Sequence, residues 1–175
     1  MEHKTLSKFK WFWAWEDEKE EAWLRQMSQS GWRLSSIGFP GIYWFDRAEP
    51  ADTIYRMDFN IDSKNYPAYL RLFEDAGWEH VLAYGSWQYF RIAAKPGENP
   101  EIFTDNTSKI TKYQRVMALL VVFLPIWLML LRIMQKADSL IYLVPFAFFL
   151  MLLLVYVFAI VMLIRRISQL KRMRE

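Results

Sequence analysis

Cysteine is absent from this chain of 175 residues. That excludes a disulfide scaffold, a thiolate zinc or iron–sulfur centre, and a cysteine nucleophile. Histidine is nearly absent: His3 and His80 are the only two, and neither has a second His or Cys at ligand spacing, so no zinc or haem site is expected. The six glycines stand singly, as turns and caps, and build no phosphate-cradling loop. Ser28, Ser35 and Ser36 lack a His–Asp partner set. The expectation is a non-enzymatic protein without cofactor or metal. Acidic residues become scarce toward the end, 17 of the 19 preceding residue 116, whereas Lys and Arg divide 15 and 7 about the same point. The first segment is therefore net −2 and the second +5, although the whole chain is +3. A slightly acidic globular part lacks the footprint that phosphate backbones require, so direct nucleic-acid binding is not expected.

What replaces charge at the end is hydrocarbon. Val116 to Leu131 is an uncharged apolar run, extended to Met134 if Arg132 snorkels, and Leu140 to Ile164 is a second. Nineteen residues of helix reach about 28 Å, the thickness of a bilayer core. A buried helical pair would need a surrounding mass that the rest of the chain does not supply. Lys109, Lys112 and Arg115 precede the first span, and Arg165, Arg166, Lys171, Arg172 and Arg174 follow the second. Only Arg132 and Lys136 lie near the short Gln135–Ser139 connection. That imbalance predicts a multi-pass hairpin with both termini cytoplasmic. The polar, aromatic first thirty residues do not read as a cleavable signal. Neither span carries an acid or a polar string, so the pair reads as an anchor rather than a transport path.

Residues 1–94 read as a cytosolic α+β domain made of two similar halves. Displacing the sequence by 46 residues matches Ala22, Leu24, Arg25, Gly31, Trp32 and Tyr43 with Ala68, Leu70, Arg71, Gly77, Trp78 and Tyr89. A gapless register is expected to run from 9 to 47 and from 55 to 93, each half a strand–helix–strand–strand unit. Alternation predicts a strand over 9–15 with Trp11, Trp13 and Trp15 on one face. An acid-rich start predicts a helix over 16–30 stopped by Gly31. A hairpin follows over 32–47 across Gly38–Gly41. In the second half the strands fall at 54–61, 79–84 and 87–93 and the helix near 66–76. The expected fold is an α+β sandwich with its helices on one face of an antiparallel sheet, followed by a two-helix transmembrane hairpin over 114–168. Residues 95–113 read as a juxtamembrane linker, with a short helix leading into the first span, and 169–175 as a basic cytosolic tail. The element order resembles duplicated modules that bind small molecules, such as the effector-binding domains of multidrug-responsive regulators.

Several motifs carry a closer resemblance. Phe9-Lys10-Trp11-Phe12 with Trp15 and the acidic cluster after it, Trp23-Leu24 with Gly31-Trp32, Tyr55 to Phe59, Phe73 to Trp78, Trp87 to Arg91 and Ile102 to Asp105 resemble the domain-of-unknown-function family 2812 over roughly residues 6–113. The resemblance implies a bacterial protein with C-terminal membrane spans, and a regulatory association, because such proteins are often encoded beside PadR-type transcriptional regulators. It implies no activity and no site.

Binding is the remaining chemistry. The first 113 residues hold 23 aromatic side chains. Most are expected to fill the core of a small domain, leaving one or two for a pocket that takes a lipophilic or cationic ligand. Phe12 and Trp44 are the candidates, although which of them lies across from the helices is open. Arg56 and Asp58 share a strand face opposite Tyr55, Met57 and Phe59. They form a surface pair of small worth, or a buried polar pair and a site if that face is covered. Glu16, Asp17, Glu18, Glu20 and Glu21 could bind a cation or a basic partner, but read first as a solvated first helical turn that complements the dipole. The expected function is a membrane-anchored cytosolic binding or regulatory module with a protein partner. The alternatives are a small-molecule sensor and an accessory subunit of a membrane complex.

Overall fold

A computed structural model describes residues 4–62, 64–102, 106–135 and 143–172. It divides into two compact units, Met1–Ser108 and Lys109–Glu175. The first holds β1 (Thr5–Phe9), α1 (Asp17–Gln29), β2 (Trp32–Gly38), β3 (Ile42–Arg47), β4 (Thr53–Phe59), α2 (Tyr66–Asp75), β5 (Glu79–Tyr84) and β6 (Trp87–Ala93). The strand–helix–strand–strand order expected of each half is present. The strands form two separate antiparallel sheets, ordered β1-β3-β2 and β4-β6-β5, where the sequence suggested one.

The two sheets share their irregularities. The pairing of β2 with β3 shifts between Leu34 and Ser36, and that of β5 with β6 shifts between His80 and Leu82. Both helices end before a glycine of positive φ, Gly31 at 80° and Gly77 at 86°, the left-handed position that only glycine adopts freely. The gapless register does not hold throughout. Three residues join β2 to β3 but two join β5 to β6, which shifts the last strands by one.

The first strand also differs from expectation. β1 pairs with β3 from Thr5↔Asp46 to Phe9↔Ile42. Lys10 N–H closes the ladder on Gly41 O at 3.0 Å, where β3 runs out. Without a partner strand, residues 10–16 leave the ladder and turn at Ala14–Trp15. Trp13 and Trp15 stack in parallel, with centroids 5.2 Å apart, and Trp11 meets Trp13 edge-on.

Packing explains why the alternation weakens in the second half. One core joins Leu24 and Met27 of α1 to Leu34, Tyr43 and Phe45 of the first sheet and Tyr55, Met57 and Tyr89 of the second. A second core joins Ile54 and Phe90 to Phe73 of α2 and to Trp78. Strand β4 thus contributes Tyr55 and Met57 to one core and Ile54 to the other, and the second sheet is covered on both faces. α1 is tied to β4 and the chain leading into it by polar contacts. Ser28 Oγ donates to Ala51 O and pairs with Thr53 Oγ1 at 2.9 Å. Arg25 pairs with Asp52 at 2.6 Å, and the Met57 N–H donates to Glu21 Oε1 at 2.9 Å.

The second unit is two helices, α3 (Asn106–Gln135) and α4 (Leu143–Arg172). α3 starts at Asn106, in the stretch where a helix leading into the first span is expected, and is continuous through Pro125. The pair runs antiparallel, because Tyr113 meets Arg166, Leu120 O accepts from the Tyr156 hydroxyl, and Trp127 meets Phe149. Both helices are long and apolar enough to cross a membrane, and only 6% and 11% of their most apolar stretches are buried. The expected turn at 136–139 and the last three residues of the basic tail lie outside the described residues.

Candidate functional site

A cavity of about 110 Å³ opens where the N-terminal turn of α1 meets both sheets. Phe12, Trp13 and Ala14 of the turning segment, Tyr43 of β3, Met57 of β4, Tyr84 of β5, and Trp87 and Tyr89 around β6 line it together with Asp17 and Glu20. The walls are mostly aromatic, and two carboxylates sit among them.

Glu20 is the polar centre. Its Oε1 accepts from the Tyr43 hydroxyl at 2.8 Å and from the Tyr89 hydroxyl at 2.7 Å. Glu20 is 5% exposed and Asp17 is 2% exposed. Burial pushes the Glu20 carboxyl above its ordinary range; the two tyrosines oppose that shift, and Asp17 adds to it. Burial and the Glu20 charge raise both tyrosines, so Tyr43 and Tyr89 remain protonated donors. The expectation of a solvated acidic turn is therefore overturned for Asp17, Glu20 and Glu21, all buried, while Glu18 is exposed. The turn does begin a helix, but helical spacing places Glu20 on the same stripe as Leu24 and Met27. That signal was present in the sequence and outweighed by the run of charge.

The four residues singled out from sequence do not converge. Phe12 lines the cavity and packs against Trp23 and Tyr43, with centroids 5.7 and 6.3 Å away. Trp44 lies on the outer face of the first sheet, 37% exposed, its ring 2.8 Å from where a side chain at Gly38 would begin.

Arg56 lines a second, larger hollow with Glu18, Glu21, Arg25, Asn99 and Glu101. Its guanidinium reaches Glu101 and Asn99 at 3.0 Å each and Glu21 at 3.4 Å. Asp58 is 1% exposed under α2, where Oδ2 accepts from the Tyr69 hydroxyl at 2.9 Å and Oδ1 has no partner. Arg56 and Asp58 thus keep separate partners. No cluster of three metal-ligating side chains occurs among the described residues.

Fold and cavity together define an α+β domain of two antiparallel sheets with an aromatic, acid-lined pocket, in a chain that also holds two long apolar helices. A family model described as "Protein of unknown function (DUF2812)" matches residues 16–124. The chain belongs to this family. The matched region begins just after the Phe9–Trp15 motif and runs from the start of α1 well into α3, past residue 113. No curated protein and no solved structure matches the chain.

Proposed function

We propose that this protein is a membrane-anchored ligand-sensing module, binding rather than catalytic, whose α+β domain takes up a small lipophilic or cationic compound at the cytoplasmic face of a bacterial membrane. The observation that carries the reading is the cavity itself: an aromatic enclosure with a buried carboxylate at its wall. Pockets of this kind, apolar with a few convergent polar groups, are where small molecules bind. Trp13 and Trp87 line it, so occupancy should quench tryptophan fluorescence of the full chain in detergent. The expected result is saturable quenching by one member of a panel of small hydrophobic amines and alcohols, lost on filling the cavity with Ala14→Leu. Quenching that survives Ala14→Leu places binding elsewhere and defeats the reading.

The basic flanks of α3 and α4 support an orientation with both ends cytoplasmic. Because the chain has no cysteine, single introduced cysteines report topology directly. A membrane-impermeant thiol reagent added to intact cells should label the 136–142 segment and spare Ser35→Cys.

A specific surface favours a protein partner as the second reading. On the outer face of the first sheet Phe9 is 66% exposed beside Trp44, and Phe39 in the adjoining turn is 84% exposed. Three exposed aromatics at one end of a sheet suit a docking surface. The PadR-type regulators that the family resemblance implies are the partner to test. Co-purification of such a regulator from the native host, lost with Phe9→Ser and Trp44→Ser together, supports this reading, and retention in the double variant removes it.

A further inference from the structure

The charge state of the cavity narrows the ligand class, an inference that rests on the pocket reading above. Glu20 is the buried acid of the wall. Both of its hydrogen bonds come from neutral tyrosine hydroxyls, and both end on Oε1. Among the described residues, no Lys or Arg forms an ion pair with it. Two neutral donors offset only part of the cost of burying a carboxylate. Asp17, buried in the same lining, makes that cost larger. The cavity therefore has unmet demand for positive charge.

The rest of the wall says which cation meets it. Phe12, Trp13, Tyr43, Tyr84, Trp87 and Tyr89 surround the space, and aromatic rings attract a weakly hydrated cation through their quadrupoles. The protein already makes this contact next door, where the Lys10 ammonium sits 5.1 Å from the Phe12 ring centroid and 4.7 Å from that of Trp23. An anion would meet Asp17 and Glu20. A hard metal ion prefers several oxygen ligands and gains little from rings. A neutral ligand leaves Glu20 uncompensated. Volume sets the size: a cavity of ~150 Å³ holds benzene, and this one, at about 110 Å³, suits a head group rather than a whole drug-sized molecule.

We infer that the cavity is an organic-ammonium site, with Glu20 as counter-ion through its Oε2 and the surrounding aromatic rings as walls around the nitrogen substituents.

The test compares choline with its uncharged carbon isostere, 3,3-dimethylbutan-1-ol, by calorimetry on the full chain in nanodiscs. The two have nearly the same shape and differ in charge. Choline is expected to bind at least about tenfold more tightly than the isostere, the scale of a partly desolvated cation–aromatic contact. Glu20→Gln keeps an acceptor for both tyrosine hydroxyls and removes the charge. It should reduce choline affinity and leave isostere binding unchanged, with a single cooperative melting transition showing that the variant is folded. Binding of the isostere as tightly as choline overturns the ligand class while leaving the pocket as a binding site, and a choline affinity unchanged in Glu20→Gln overturns Glu20 as the counter-ion. Binding of neither probe overturns both.

Discussion

The two halves of the α+β domain use the same element order and the same strand order, yet one presents a surface and the other does not. Next to the shared irregularity, Trp44 opposes Ser36 in the first sheet and Tyr89 opposes Leu82 in the second. Trp44 is 37% exposed and Tyr89 is 2% exposed. The difference lies in what covers the sheet. The second sheet has α2 and Phe73 on one face and the core shared with α1 on the other. The first sheet shares a core with α1 on one face and leaves Phe9 and Trp44 outside. One strand position therefore makes a buried hydrogen-bonding tyrosine in one half and an exposed indole in the other.

The same contrast shows at the helices. Glu20 of α1 and Tyr66 of α2 stand 46 residues apart, and each makes a hydrogen bond to the third strand of its own half. In the first half the strand tyrosine donates to the helix acid, Tyr43 to Glu20; in the second the helix tyrosine donates to the strand amide, Tyr66 to Gln88 at 2.8 Å. Only the first of these bonds carries an acid; the second half buries its acid, Asp58, beside Tyr69 instead. The lesson is that one scaffold supports either a neutral structural contact or an acid-lined pocket, and the choice rests on whether the bond between helix and strand includes an acid.

The sharpest test of the contrast is truncation of the equivalent strand residues. Tyr89→Ala removes a buried ring and one of the two donors to Glu20, and should destabilise by roughly 3–5 kcal/mol. Trp44→Ala removes a ring that is partly in water and should cost about 1 kcal/mol or less. Urea unfolding of the full chain followed by far-ultraviolet circular dichroism checks both. Equal costs would mean that the two sheets are covered alike.

Tyr69→Phe probes the covered sheet from its polar side. Asp58 already has one oxygen without a partner, and Tyr69 supplies the bond to the other at 2.9 Å. Loss of that hydroxyl leaves a buried carboxyl with neither oxygen satisfied, at about 1–3 kcal/mol. No corresponding strand acid exists in the first half, where β1 carries Lys8 and Phe9 at its end. The loss should be recovered in Tyr69→Phe with Asp58→Leu, which removes the stranded acid altogether.

Much of this was legible before any coordinates. The helices over 16–30 and 66–76, the hairpins over 32–47 and 79–93, the glycine stops and the two apolar runs follow from periodicity and turn chemistry, because those signals are local. The strand over 9–15 failed for a non-local reason: Gly41 ends the partner strand, so Lys10 has nowhere further to pair. The separation into two sheets was equally hidden, since strand neighbours are set by packing rather than by any one segment. At the site, Phe12 was found and Glu20 was set aside. A run of acids looks solvated until one asks which of them falls on the stripe of Leu24 and Met27.

The charge contrast between the halves predicts a pH signature. The folded state raises the Glu20 carboxyl above its ordinary value near 4.5, so it holds the proton more tightly than the unfolded chain does. Its contribution favours folding most at low pH and is lost as pH rises through the raised value, with a slope of at most about 1.4 kcal/mol per pH unit. Tyr43, Tyr84, Tyr89 and Asp17 face the same space, and Glu20→Gln removes the Glu20 contribution alone. The melting temperature of Glu20→Gln minus that of the parent should increase from pH 4 to pH 8. A constant difference would show that Glu20 titrates as if in water.

The smallest expected effect concerns how α1 is held against the second half. Arg25 grips Asp52 through two nitrogens, at 2.6 and 2.7 Å, and Gln29 adds a bond to the same carboxylate at 3.0 Å. The Arg25 guanidinium holds the Asp52 carboxyl below its ordinary range. The stabilisation is therefore present at neutral pH and disappears as pH falls through that lowered value. Both side chains are more than a third exposed, at 37% and 41%, so water and salt screen the pair. Arg25→Ala should cost only about 0.2–1 kcal/mol at low ionic strength, and less at 1 M salt. It should leave ligand affinity unchanged, because Arg25 lines the second hollow and not the aromatic cavity. A larger or salt-independent loss would mean that this one pair, rather than the buried Glu21 and Ser28 contacts, sets the distance between α1 and β4 that shapes the pocket.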